Sequence, residues 1–140
     1  PIHLHDAVAK IQDTIVICPP IISQFAATAA LDTGVDYCRH HLEAIAKRRS
    51  TVLTELTALK PMVQVPKTLG AFYVLARVET TLNSLEIVSR LICEHRVAAV
   101  PGTAFGLGEG CHLRIAYAAP NNATLSEAMR RLVTGLREIV

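Results

Sequence analysis

The chain has 140 residues, 51% of them apolar and 19% charged, with 7 Gly and 7 Pro. These fractions exclude a disordered or low-complexity chain, and a domain of this length buries roughly 70% of its unfolded surface, so one packed core is expected. Fourteen basic against twelve acidic residues leave +2, scattered except for Lys47, Arg48 and Arg49, and aromatics make up 4% without Trp; neither a nucleic-acid stripe nor a base-stacking platform is present. In chain order, Leu4, Val8, Ile11 and Ile15 recur at helical spacing, and Pro19 and Pro20 end that helix. Ile21, Ile22, Phe25, Ala26, Ala29 and Ala30 predict a second, nearly all-apolar helix that should lie buried. Gly34 breaks it. From Val35 the positions Cys38, Leu42, Ile45, Val52, Leu56 and Leu59 describe a helix of about six turns that stops before Pro61.

The period then changes. In MVQVPKTLGAFYVLARV, Phe72, Val74, Ala76 and Val78 share one face and Tyr73, Leu75 and Arg77 the other, which predicts a strand, with a shorter one before Pro66. Asn83 and Glu86 have the form of a capping box ahead of Leu85, Val88, Leu91 and Ile92, a helix running to about Arg96. VAAVPG reads as a buried strand closed by Pro101 and Gly102. HLRIAY alternates Leu113, Ile115 and Tyr117 against His112, Arg114 and Ala116. Thr124 and Glu127 form a second capping box before Leu125, Met129, Leu132, Leu136 and Ile139, a closing helix. The expected fold class is α/β: a small sheet covered by helices, preceded by a helical tail.

Few motifs carry chemistry. Gly106, Gly108 and Gly110 lack the spacing of a nucleotide loop and precede a strand, so they read as a turn between strands. Cys38 with His41, and His3 with His5, each supply two ligands where zinc needs three or four, so no metal is expected. Arg130 and Arg131 read as a solvated helix face. The stretch Ile15–Leu31 is interrupted by Pro, Ser and Gln and is no membrane span. Cys18, Cys38, Cys93 and Cys111 form no Cys-x-x-Cys pair, which favours free thiols and a cytoplasmic chain. Arg114 stands out: a guanidinium in mid-strand between Leu113 and Ile115 needs an anion, supplied either by a carboxylate such as Glu109 or Glu138 or by a ligand's carboxylate.

VAAVPGTAFGLGEGCHLRIAYA resembles the C-terminal signature of the class I (fold-type I) pyridoxal-phosphate-dependent aminotransferases: Val-Pro-Gly, Ala-Phe-Gly, a Gly before the strand, then Leu-Arg-Ile with a small residue and an aromatic. GAFYVLARV, CPPIISQFAATAAL and LSEAMRRL are similar to other segments of the same C-terminal third. The resemblance implies that residues 1–32 are the tail of a large cofactor-binding domain and 33–140 the small domain. It implies that Arg114 binds the α-carboxylate of the substrate, and that Tyr73 and Phe105 lie in segments that approach the active site, with packing as their default role. It further implies an amino acid and a 2-oxo acid as substrates, pyridoxal 5'-phosphate in the complete enzyme, and a homodimer. Lys10, Lys47, Lys60 and Lys67 all lack the context of the family's Schiff-base lysine. The chain is therefore expected to be a piece of a longer protein, to hold no covalent cofactor and to be inactive alone. A C–S lyase or a cyclopropane-forming synthase shares the pattern, and a free-standing ligand-sensing or interaction domain is the non-catalytic alternative.

Overall fold

The computed structural model describes residues 2–118 and 121–140; Pro1, the first residue of the expected large-domain tail, lies outside them. The chain divides into two compact units between His41 and Leu42. The expected domain boundary after residue 32 falls ahead of this division, near the end of the second helix.

The first unit is helical. After a 3-10 turn, Ile2–Leu4, come α1, His5–Ile15, and α2, Ile21–Thr33. Pro20 ends the link between them as the residue before α2, where its fixed φ and missing N–H are harmless. α2 was expected to be buried and is not: Ile21, Ile22 and Phe25 are 69–73% exposed. Its apolar residues occupy every side of the helix, so the composition asks for a cover that these elements do not provide.

α3, Asp36–Thr57, supplies the six turns read from the sequence and buries Val52 and Leu56 near its C-terminal end. It leads into the second unit, where β1 (Val63–Gln64), β2 (Tyr73–Val78), α4 (Ser84–His95), β3 (Val100–Pro101), β4 (Cys111–Ala116) and α5 (Asn122–Ile139) follow in order. The four strands form one antiparallel sheet in the order β1-β2-β4-β3. β3 is shorter than VAAVPG suggested, because it is an edge of two residues whose Pro101 has no N–H for further pairing.

The period-two alternation holds on both central strands. Val74, Ala76 and Val78 of β2 and Cys111, Leu113 and Ile115 of β4 enter the core, together with Val63, Ile87, Leu91, Met129, Leu132 and Leu136. α5 buries all five predicted positions, Leu125, Met129, Leu132, Leu136 and Ile139. α4 turns a different face inward: Ser84, Ile87, Val88 and Leu91 are buried, while Leu85 and Ile92 lie exposed. Positions 84, 87, 88 and 91 make the i, i+3, i+4, i+7 stripe, and Leu85 and Ile92 fall beside it.

Asn83 caps α4 by accepting from the Glu86 amide at 2.8 Å. The cap of α5 is Asn121, which accepts from the Thr124 amide at 2.8 Å. The predicted Thr124–Glu127 box is thus displaced: Thr124 lies inside the first turn, and Glu127 faces Arg130 and Arg131. Asn outranks Thr as a cap, and starting at Asn122 adds a turn to the helix.

Candidate functional site

Arg114 occupies the middle of β4, at an even position of the alternation. Its neighbours Leu113 and Ile115 anchor the strand in the core, so Arg114 projects from the opposite face, half-buried, alongside His112 and Ala116. Leu75 of β2 and Val100 of β3 are its partners across the sheet. The same face carries Tyr73, Leu75 and Arg77 from β2.

Two rings flank the guanidinium. Its Cζ stands 5.1 Å from the centroid of Tyr73 and 4.7 Å from that of Phe105. Tyr73 is placed by the start of β2, which Tyr117 pins twice: the Tyr117 hydroxyl donates to the Ala71 carbonyl at 2.9 Å, and its amide donates to that of Phe72 at 3.0 Å. Phe105 is placed by the 3-10 turn Gly102–Phe105. That turn lies so close to β4 that a Cβ on Gly102 would meet the His112 Cβ at 2.6 Å and its carbonyl oxygen at 3.0 Å. Gly106, at φ +79°, then reverses the chain in the left-handed conformation that favours glycine.

Among the described residues nothing neutralises the charge of Arg114. Among the described residues no carboxylate lies within 4.0 Å of it: neither Glu109 nor Glu138 makes the ion pair considered from the sequence, and Glu138 instead approaches His95 at 3.7 Å. Its Nε is buried without a hydrogen-bond partner. A buried donor left unmet costs about 1–3 kcal/mol, and each ring face offsets about 0.5–2 kcal/mol of that by attracting the cation. Such a guanidinium retains N–H donors in the fork geometry that matches a carboxylate. Arg77, on the same face, differs: it pairs with Glu79 at 3.1 Å, and Glu79 also accepts from Gln64 at 2.9 Å.

The other predicted features separate from this cluster. Arg130 and Arg131 both bond Glu127, at 2.8–2.9 Å. Cys38 and His41 lie on α3, with the His41 ring against Tyr37 at 5.0 Å, and no group of three or more potential metal ligands exists among the described residues. All four cysteines are free; burial pushes the Cys111 thiol up from its usual value. Arg48 and Arg49 have a role that their place in a basic run did not announce. Arg48 donates from Nη1 to the Ala118 carbonyl just beyond β4, and Arg49 donates from Nη2 to the carbonyl and, at 3.3 Å, the hydroxyl of Thr68 ahead of β2. Only the folded chain brings α3 to these two loops, so no sequence signal could have found the contacts.

The amines of this chain do not fit covalent anchoring of an aldehyde cofactor. An imine-forming lysine is made a free amine near neutral pH by desolvation or by a neighbouring cation. Lys10, Lys47, Lys60 and Lys67 are all exposed, and Lys47 is bound to Glu43 at 2.8 Å.

Comparison with known proteins gives these features a setting. The family model described as aminotransferase class I and II matches residues 3–132. The aspartate aminotransferase of Rhizobium meliloti is 32% identical over 145 residues, covering 95% of this chain and 34% of that protein. The aspartate aminotransferase of Pyrococcus abyssi is 38% identical over 128 residues, covering 86% and 31%. The crystal structure of an aminotransferase from Mycobacterium tuberculosis superposes with a TM-score of 0.77 at 33% identity, over 99% of this chain and 36% of that one. The chain therefore spans about a third of the length of the curated relatives it matches. With its sheet, its Gly-rich turn and its signature strand all inside the matched region, the chain belongs to the class I and II aminotransferase family.

Proposed function

We propose that these residues form the part of a pyridoxal-phosphate-dependent aminotransferase that receives the substrate's carboxylate, in a protein that moves an amino group from an amino acid to a 2-oxo acid. One observation carries this reading: Arg114 stands on the sheet face turned away from the core, between two rings, with no carboxylate beside it among the described residues. A planar, permanently charged fork in that setting accepts a carboxylate through two parallel N–H···O bonds. It thereby fixes the substrate's Cα relative to the reacting atoms, which is where orientation contributes to rate. The bound cofactor supplies the electron sink. In this reading residues 1–32 belong to the large cofactor-binding domain and 33–140 to the small one. The lysine that anchors the cofactor comes from elsewhere in the complete enzyme, and this chain alone does not catalyse transfer.

The same reading takes the complete protein to be a cytoplasmic homodimer. The exposed apolar residues of α1 and α2, such as Ile11, Ile15, Ile22 and Phe25, support a cover by further protein. Four free cysteines and the absence, among the described residues, of any helix long and apolar enough to cross a membrane agree with that location.

The test is Arg114→Lys in the full-length chain that carries these residues. A lysine keeps the charge and loses the fork, so KM for the amino acid should rise and kcat/KM fall roughly 10- to 100-fold, about 1.4–2.7 kcal/mol. The wild-type product should be a 2-oxo acid formed in step with the aminated acceptor. Unchanged constants for carboxylate-bearing substrates would remove Arg114 from the site.

A further inference from the structure

We infer that Tyr73 and Phe105 are positioning residues that hold the Arg114 guanidinium ready for a carboxylate without competing for it; the inference rests on the proposed role of Arg114. An arginine side chain has many rotamers, and a site that relied on it bare would have to order it each time a ligand arrived. A carboxylate neighbour would order it too, but would occupy the N–H donors and cancel the charge. Aromatic faces attract a cation while accepting no conventional hydrogen bond, so they fix the guanidinium and leave its fork free.

The structure has the features this requires. Both rings lie within cation–π distance, 5.1 Å and 4.7 Å, and no carboxylate is within reach among the described residues. Each ring is delivered by its own backbone device: the start of β2 pinned by Tyr117, and the turn pressed on β4 through Gly102. Phe105 remains 48% exposed, so core packing does not account for it. The rings also exclude water from one side of the fork, which strengthens the bonds it makes to a carboxylate.

The experiment compares Tyr73→Leu, Tyr73→Phe and Phe105→Leu in the full-length chain, each alone and on Arg114→Lys. Affinity for propionate, an unreactive carboxylate, is read by ligand-observed NMR titration, and Tm is recorded in parallel. Loss of either ring should weaken propionate roughly 3- to 10-fold, the share of a desolvated cation–π contact. Tyr73→Phe, which keeps the ring, should recover most of that loss, and on Arg114→Lys the ring variants should add little, because the guanidinium they act through is gone. Ring variants that lower Tm but leave the propionate Kd unchanged would overturn the inference, as would losses that add in full to that of Arg114→Lys. If Arg114→Lys itself leaves the Kd unchanged, the carboxylate reading fails first, and the positioning role fails with it.

Discussion

Arginines on this chain are mostly occupied. Arg130 and Arg131 converge on Glu127, and their hydrogen bonds, Arg130 first, pull its carboxyl down to about 2. The folded value lies below the ordinary carboxylate range of about 4.3, so the pair's contribution is present above that range and fades as pH falls through about 2. Exposure keeps the effect on stability small. An NMR titration following the Glu127 side-chain carboxyl should show a midpoint near 2, and one in the ordinary range would show that the two arginines do not hold it in solution. Arg114 differs from that pair: among the described residues no carboxylate meets it, and two rings flank it instead. Its position was legible because alternation around Leu113 and Ile115 fixes which way a mid-strand residue points. Its two aromatic neighbours were not, since Tyr73 depends on the register of β2 against β4 and Phe105 on how tightly a glycine-bounded turn closes.

Elements meet where side chains are smallest. α5 approaches α4 at Gly135, where a Cβ would stand 2.6 Å from Leu91 Cδ2 and 2.9 Å from the His95 ring. Gly135→Ala sets a helix-propensity gain of up to about 1 kcal/mol against overpacking of about 1–3 kcal/mol. Leu91 is fully buried and His95 half-buried, so neither yields freely, and a net loss of about 1–2 kcal/mol is expected. A thermal melt of the variant should show Tm several degrees lower; an unchanged or higher Tm would mean that the two helices can separate without cost. This contact also explains what the sequence could and could not reveal about its two helices. α5 is mostly polar outside one stripe, so its five large buried residues were readable, whereas Gly135, buried with them, was not. LEIVSRLI has apolar residues on two sides of α4, and the side that meets Gly135 and the core, with Ile87, Val88 and Leu91, is known only from the folded chain.

At the scale of the whole molecule, cysteine chemistry separates surface from core. Cys18, Cys38 and Cys93 are exposed, whereas Cys111 is 1% exposed, and burial pushes its thiol up. Iodoacetamide at neutral pH, followed by peptide mass spectrometry, should label the first three promptly and Cys111 only as the second unit unfolds. Equal labelling of all four would show that the core opens readily. Periodicity revealed the α/β architecture because the switch from helical to alternating patterns is local. The exposure of α2 was hidden for the opposite reason: composition reports that a surface wants covering, and whether this chain covers it is a property of the assembled fold.

β4 serves two masters with alternate side chains. A single residue inserted or deleted within it would trade Leu113 for Arg114 across the sheet, forcing a charge into the hydrocarbon interior and removing the cation from the open side in the same stroke. Frame-length changes in this strand thus strike folding and the proposed carboxylate recognition together. Substitutions alone can tune them separately, the odd-numbered positions through volume and the even-numbered ones through chemistry.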